Sequence, residues 1–365
     1  MPTSSPRGWN LLLAVILLVP AGLPAQADPP SPDTIDEAGP EWVALPFLLY
    51  TPETGLGGGG AVGHYRRLGQ APEPSSFLTA LTVTLRKQVS VEFLPDVYLS
   101  GGSRVDGGVR FRHYPDVFYG IGQGTPEELE EEYTSRVVDV EVRGRRPVGG
   151  GVRLGLEARF RHERMWEVEE DGLLEAGTAP GHDGGTTVGL GVTAARDTRD
   201  NLFAPRRGSY VEGSWTVHDR RLGSDFDFHR LLLDARRFLP VGQASVLGLH
   251  LYLEAAPGRT PFQLLPLLGG NNRLRGYREG RFRDRGYVAV QGEYRFPVWR
   301  RWSGVAFVGA GDVFRNPSDL GLSDLEAAAG IGARFRLTDE GVTLRGDLAL
   351  GREGTGVYFT LGHAF

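Results

Sequence analysis

One segment of the chain carries residues that could form a buried ion pair. The run Gly269–Tyr277 reads Gly-Gly-Asn-Asn-Arg-Leu-Arg-Gly-Tyr, so Arg275 stands directly before a glycine, and an alternating stretch with Glu293 follows. If this loop folds into a space enclosed by strands, Arg275 and Glu293 can pair away from bulk solvent. Because removing one partner of a buried ion pair is costly, the contact would act as a latch. The alternative interpretation is an arginine in a solvated loop.

The remaining chemical signatures are weak. Gly55–Gly60 fits a dinucleotide-binding pattern, but no helical pattern or βαβ unit follows, so a glycine-rich strand is expected. The chain has no cysteine, its eight histidines lack metal-site spacing, and no Gly-x-Ser-x-Gly is present. His229 and His250, both expected on interior faces, would need a serine and a polar orienter to form a hydrolase site. The sequence therefore predicts no enzyme, no cofactor and no metal site.

Charge and composition exclude several protein classes. The net charge of −5 over 365 residues predicts neither a nucleic-acid surface nor a disordered acidic tail. Glycine, at 53 residues, is about twice as frequent as usual but follows no Gly-X-Y period, which excludes collagen. The acidic run Glu127–Glu132 lies in an expected loop, where it is either solvated or binds divalent cations shared with lipopolysaccharide.

From Glu41 to the C-terminus, apolar and polar residues alternate with a period of two. In Gly151–His162, valine, leucine, alanine and phenylalanine occupy one face, and arginine and glutamate occupy most of the other. Two all-β architectures fit: a soluble sandwich with its apolar face toward the core, and a membrane barrel with its apolar face toward lipid. Similar stretches are Arg136–Pro147, Phe228–Leu239, Leu247–Glu254 and Val288–Phe296.

The lengths of the connections favour the membrane barrel. The tight links are Gly101–Gly102, Pro147–Gly150, Pro240–Gln243 and Thr338–Gly341. The long links are His113–Tyr133, His162–Gly185 and Gly258–Asp284. Counted from Glu41, tight links follow even strands and long links follow odd strands, as in outer-membrane barrels with short periplasmic turns and long outer loops. We expect a transmembrane antiparallel barrel of about sixteen strands, with both of its ends on the periplasmic side.

The N-terminus is typical of an exported protein. Arg7 precedes the apolar run Leu11–Val19, and the Ala-Gln-Ala of Ala25–Ala27 forms a cleavage pattern. The apolar run is too short to cross a bilayer as a helix, which needs about 20 residues. We therefore expect a signal peptide at 1–27, a short periplasmic linker at 28–40 and an outer-membrane barrel at 41–365.

The C-terminal stretch agrees with this destination. Phe359, Leu361 and Phe365 are expected on one face of the last strand, and the chain stops at Phe365. A terminal phenylalanine on an alternating strand resembles the sorting signal of outer-membrane barrels, so we assign these three residues to it. His363 stands where that signal usually has an apolar residue.

Several motifs, taken in order, resemble the bacterial surface antigen (BamA/TamA-type) family. They are Tyr50–Gly55, the hairpin of Asp197–Asn201 and Pro205–Gly208, and Leu274–Tyr277 followed by Glu293–Pro297. The resemblance covers the chain from Glu41 to Phe365. It implies a surface antigen domain of sixteen strands whose sixth outer loop, bearing a (V/L/I)RG(F/Y) motif, folds into the lumen.

The resemblance also implies roles for single residues. The loop latch would be Leu274, Arg275, Gly276 and Tyr277, with Glu293 as the acidic partner of Arg275. The family's F-x-D-x-G motif falls on Phe307–Gly311, but Gly309 stands at the aspartate position. Asp312 is nearby and is expected on the opposite face, so the second carboxylate of the latch stays unassigned.

A further departure concerns the segment before the barrel. Family members that insert or export proteins carry periplasmic POTRA domains, which receive clients. The segment 28–40 is too short to fold independently, so we expect a barrel-only member.

Two functions remain open at this point. The first is assistance with insertion or translocation of proteins or lipids, through a seam between the first and last strands that Gly57–Gly60 could weaken. The alternative is a passive pore or a structural surface barrel. The expected partners are outer-membrane lipid and lipopolysaccharide, with unfolded outer-membrane proteins or a periplasmic partner as further candidates and no nucleic acid. The expected location is the bacterial outer membrane.

Overall fold

The computed structural model describes residues 41–69, 71, 74–321, 324–338 and 341–365. The expected signal peptide and linker, 1–27 and 28–40, lie outside the described residues. Across the part of the chain that is described, no helix is both long and apolar enough to cross a membrane.

Sixteen β-strands make up most of the described residues, which is the number expected from the alternation. The strands are β1 Glu41–Thr51, β2 Gly55–Arg66, β3 Ser75–Thr84, β4 Val89–Tyr98, β5 Arg104–Phe118, β6 Glu131–Gly149, β7 Val152–Val168, β8 Gly184–Asp197, β9 Gly208–His218, β10 Phe228–Val241, β11 Ser245–Ala255, β12 Gly286–Trp299, β13 Trp302–Phe314, β14 Glu326–Arg336, β15 Thr343–Gly351 and β16 Gly354–Leu361. Successive side chains of a strand point to opposite faces, so a period of two suits strands and not helices.

The strands form one closed antiparallel barrel in which each strand pairs with its neighbours in the chain. β1 pairs with β2 in continuous register along its whole length. The barrel closes where β16 meets β1, and within the described chain one register pair, Tyr50↔Phe359, joins these two strands. We call this closure the seam. The predicted all-β antiparallel barrel is therefore confirmed.

Side chains alternate between the lumen and the outer wall. On β12, Gln291 and Glu293 are buried, whereas their neighbours Val290 and Tyr294 are exposed. The inward-facing residues are covered in this part of the lumen, whereas a cavity of about 310 Å³ lined by charged side chains of β5, β6, β7 and β10 leaves another part of it open. The exposed apolar residues point outward and form the surface that faces lipid in a membrane barrel.

The two rims of the barrel differ, although less than the sequence suggested. The near rim holds the start of β1 and the end of β16, and the far rim lies opposite. The long far-rim connections are confirmed after β5, β7 and β11. The expectation fails for β1–β2, β3–β4 and β15–β16, where the far-rim links are tight turns. At the near rim the links after β4, β6, β10 and β12 are short, but the β8–β9 link, residues 198–207, is longer than expected. The longest connections all lie at the far rim, so the near rim corresponds to the periplasmic rim of an outer-membrane barrel.

The end of the chain departs from the expected face. β16 ends at Leu361, which is exposed on the outer wall as predicted, and Gly362 follows with a φ of +85°. This left-handed backbone, which favours glycine, redirects the chain. Phe365 is therefore buried in the lumen against Phe238, and the prediction that it shares the outer face with Leu361 is wrong. Phe359 lies in β16 at the seam and is partly exposed.

The run of glycines lies one strand away from the seam. Gly57–Gly60 belong to β2 and pair with both β1 and β3. A Cβ at Gly59 would overlap the carbonyl oxygen of Leu81 on β3, so the two backbones approach more closely than a larger residue allows. The glycines therefore do not weaken the seam by direct contact with β16.

Candidate functional site in the barrel lumen

The connection between β11 and β12, residues 256–285, is the longest link between the described strands. We call it the lumen loop. Four of its almost fully buried apolar side chains, Leu268, Leu274, Tyr277 and Phe282, belong to one cluster. They pack against inward-facing residues of the wall, which are Tyr252, Tyr287, Ala289, Val313 and Ala328. The structure thus places this loop inside the lumen.

Arg275 of the lumen loop is fully buried between two carboxylates. Its Nη1 donates a hydrogen bond to Asp347 Oδ2 over 2.8 Å, and its Nη2 lies 2.9 Å from Glu293 Oε2. Its guanidinium also stacks on Phe307, with Cζ 3.4 Å from the ring centroid. The structure therefore brings together Arg275 and Glu293, the two residues singled out from the sequence, and adds a second acid.

Three further arginines surround the same two carboxylates. Arg295 Nε lies 2.8 Å from Glu293 Oε1, Arg345 Nε lies 2.7 Å from Asp347 Oδ2, and Arg334 Nη1 lies 2.5 Å from Asp347 Oδ1. Guanidinium groups outnumber carboxylates here, so loss of either acid would leave buried positive charges facing one another. We call this group the latch cluster, which comprises Arg275, Glu293, Arg295, Arg334, Arg345 and Asp347.

Asp347 is the site residue that sequence reasoning missed. It lies on β15, where Arg345 and Asp347 share the inward face while Leu348 points outward. The inward direction of Asp347 could be predicted from the alternation along β15. Its contact with Arg275 could not, because it depends on the register of strands that are far apart in the chain. Asp312, which the sequence analysis considered as a second carboxylate of the latch and left unassigned, is buried near the far end of β13. No described hydrogen bond or ion pair joins it to Arg275.

The other residues of the motif fix the loop around Arg275. Leu274 belongs to the apolar cluster, and Gly276 has a φ of +110°, which favours glycine. The Tyr277 hydroxyl donates a hydrogen bond to Glu326 Oε2 over 2.7 Å. Burial and this contact raise the pKa of Tyr277 to about 12, so its hydroxyl keeps the proton that it donates.

The lumen loop also contacts both sides of the seam. The backbone N–H of Gly276 donates a hydrogen bond to the hydroxyl of Tyr358 on β16 over 2.9 Å. The backbone N–H of Glu279 donates to Glu53 Oε1, in the turn between β1 and β2, over 2.7 Å. Neither contact was expected from the sequence, because both join residues far apart in the chain. The loop therefore bridges the strands that close the barrel.

The two histidines considered for catalysis lie on opposite faces. His250 is buried in the lumen, with Nε2 3.1 Å from Asp234 Oδ1. His229 is exposed on the outer wall beside Trp215, so its predicted interior position is wrong. The physical reason is parity, since residue 229 shares the outward face of β10 with Leu231. In the described part of the chain, no group of three or more histidine or acidic side chains could hold a metal ion.

A family model settles the affiliation. Residues 85–365, which include the latch cluster and thirteen complete strands, match the Omp85 superfamily domain. The chain belongs to the Omp85 superfamily. No protein of curated function matches this Omp85 chain in sequence.

Two solved structures resemble this Omp85 barrel. The first is BamA from Haemophilus ducreyi lacking POTRA domains 1–3, with a TM-score of 0.64 and 14% identity over 88% of this chain and 70% of that chain. The second is CdiB from Acinetobacter baumannii, with a TM-score of 0.58 and 10% identity over 88% of this chain and 59% of that chain. At such low identity the likeness concerns the fold. Together with the family, it implies an outer-membrane protein of a bacterium.

Proposed function

We propose that this Omp85 barrel assists the insertion or translocation of proteins or lipids at the outer membrane. The observation that carries the proposal is the seam, where a single register pair joins β1 and β16 in the described chain. By contrast, β15 and β16 pair at every position from Leu344↔Leu361 to Gly351↔Gly354. The edges of β1 and β16 are thus the least firmly paired part of the wall.

Poorly paired edges are costly in hydrocarbon, because backbone groups there have no water to replace a missing strand. The same edges are templates for an added strand, which can supply the missing hydrogen bonds. A client strand that pairs with β1 or β16 would therefore be stabilised as it enters the membrane. Unfolded outer-membrane proteins are the partners that best suit this chemistry, and lipids that pass along the open seam are the second candidate.

The lumen loop supplies the control in this proposal. It contacts Tyr358 on β16 and Glu53 beside β1, and the latch cluster fixes it from within. While Arg275 stays between its two carboxylates, the loop holds both edges in place. When the loop moves, the two edges lose their shared support. This role is non-enzymatic and needs no cofactor.

The decisive experiment follows the folding of an unrelated outer-membrane barrel into liposomes. Empty vesicles, vesicles with this protein and vesicles with its Arg275→Ala variant are compared. We expect the intact protein to accelerate folding and the variant to lose most of the acceleration. Arg146→Ala, on the outer wall of β6, is the matched control and should behave as the intact protein.

The variant Tyr358→Phe covers the case in which Arg275→Ala does not fold. It removes one loop-to-strand hydrogen bond and keeps the latch cluster. If the intact protein folds the client no faster than empty vesicles, the insertion proposal is wrong, and a passive pore or structural surface barrel takes its place.

A further inference from the structure

The outer wall carries an apolar groove on the strands that hold the latch cluster. It has a volume of about 610 Å³ and crosses β11 to β15. Its floor is made of small outward-facing residues, which are Gly292, Ala306 and Ala329, and its edges include Tyr294, Ile331 and Leu348. In the strand register Ala306 lies between Tyr294 and Ile331, so a short side chain is flanked by two long ones. We call this depression the wall groove.

The wall groove faces hydrocarbon, and its floor is open. A Cβ added at Gly292 would meet only Leu249, at 3.8 Å. If no lipid atoms filled this depression in a membrane, the residues that line it would lose their dispersion contacts. A flexible chain of methylene groups fills such a space, whereas water would find no hydrogen-bond partners among these side chains.

The near-rim turn below the groove supplies a complementary headgroup site. Trp299 and Trp302 are exposed there, as in the aromatic girdles that mark a membrane interface. Arg300, in the turn between β12 and β13, lies over the Trp299 ring at 4.7 Å, and it has no ion-pair partner among the described residues. The turn therefore offers an uncompensated positive charge at the level of lipid phosphates.

The distance between turn and groove fits one acyl chain. Ala306 lies six positions after Arg300, which corresponds to about 20 Å along a strand. With a strand tilt of about 40°, the vertical depth is about 15 Å, half of a hydrocarbon core roughly 30 Å thick. A lipid of the opposite leaflet would have its headgroup beyond Phe314, which lies eight positions from Ala306. The groove is therefore nearer to the headgroups of the periplasmic leaflet.

We propose that the wall groove and Arg300 bind one glycerophospholipid of the periplasmic leaflet, with the phosphate at Arg300 and an acyl chain in the groove. The bound chain would support the wall behind the latch cluster, because Ala306 and Gly292 are direct neighbours of Phe307 and Glu293. This site does not depend on the seam or on client insertion.

The test uses the full protein in liposomes that contain phosphatidylglycerol with a photoactivatable diazirine near the end of one acyl chain. After illumination, labelled peptides are mapped by mass spectrometry. We expect labels to concentrate on β12 to β15 compared with the rest of the wall. Ala306→Phe, which fills the groove, should lower labelling of these strands by about threefold or more. Uniform labelling around the barrel, or labelling unaffected by Ala306→Phe, would overturn the proposal.

Matched variants separate the parts of the site. Ala194→Phe places the same bulk at a similar depth on the outer wall of β8 and should leave the labelling of β12 to β15 unchanged. Arg300→Gln should lower it, whereas Arg146→Gln should not. A diacylglycerol probe with the same chains lacks the phosphate and should label these strands less; equal labelling by both probes would contradict the headgroup site.

Two controls exclude other occupants and misfolding. Light scattering in neutral detergent should give a monomer for the intact protein. A dimer that dissociates on Ala306→Phe would assign the groove to a second copy of this chain and refute the lipid proposal. Each variant should keep the heat-dependent shift in gel mobility that marks a folded barrel.

Discussion

The wall behind the latch cluster and the seam are built in opposite ways. β13 and β14 pair continuously from Trp302↔Phe335 to Gly311↔Glu326, and buried ion pairs cover the inner face of this wall. At the seam, Tyr50↔Phe359 is the one register pair between the described strands. The lumen loop adds support to the seam through its hydrogen bonds with Tyr358 and Glu53. The latch cluster in turn fixes this loop to β12 and β15. The continuous strand pairing and the buried ion pairs thus lie away from the seam, which is the part of the wall that must open in the proposed function.

A covalent bond across the seam should have the largest effect on function. The chain has no cysteine, so the pair Tyr50→Cys and Phe359→Cys introduces the only thiols. Oxidation should join β1 to β16 and reduce client folding to the rate of empty vesicles, and a reductant should restore it. The pair Leu348→Cys and Val357→Cys, in register between β15 and β16, is the control. Full activity of the oxidised seam pair would contradict a seam mechanism.

Loss of one latch carboxylate should have the largest effect on stability. Asp347→Asn leaves Arg275, Arg334 and Arg345 without their shared acid, and removing one partner of a buried ion pair costs about 3–5 kcal/mol. Asp96→Asn, which breaks a partly exposed pair with Arg104, should cost about 0–1 kcal/mol. Urea unfolding followed by tryptophan fluorescence measures both. Equal losses would mean that the latch cluster adds no special stability.

Loss of the Tyr358 hydroxyl should have a smaller and more local effect. Tyr358→Phe removes the acceptor of the Gly276 N–H, and such a hydrogen bond contributes about 1 kcal/mol. Amide hydrogens of β16 should therefore exchange about fivefold faster, while those of β13 stay unchanged. Tyr294→Phe on the outer wall is the control. Unchanged exchange in β16 would show that the loop does not support this edge.

The smallest expected effect is a pH dependence at the chain end. Burial, together with the neighbouring Arg295, lowers the pKa of His363 well below its ordinary value of 6.5. The folded protein thus favours neutral His363, and its contribution to stability is fully present above pH 6.5. As the pH falls below 6.5, the unfolded chain takes up the proton first, and stability decreases. His363→Gln should flatten the urea midpoint between pH 7.5 and 5.5; an unchanged slope would contradict this assignment.

Much of the architecture was predictable because alternation is a local property. The strand number and the closed barrel required only the alternation and the lengths of the links, whereas the entry of the loop that pairs Arg275 with Glu293 was implied by the family resemblance. Asp347 was not predictable in the same way, because its contact with Arg275 depends on the stagger of the barrel. The inward turn of Phe365 depends on the single backbone angle of Gly362, and no periodic pattern reports that angle.

The glycine run of β2 has a mechanical consequence for the first hairpin. Four consecutive residues, Gly57–Gly60, present no side chain to either the lumen or the lipid. Their neighbours fill the space instead, since a Cβ at Gly57 would meet Thr84 on β3 at 2.9 Å and a Cβ at Gly58 would meet Leu48 on β1 at 2.9 Å. A larger residue in this stretch would therefore have to push β1 or β3 away from β2. The glycine run thus sets a narrow strand spacing in the part of the wall that adjoins the seam.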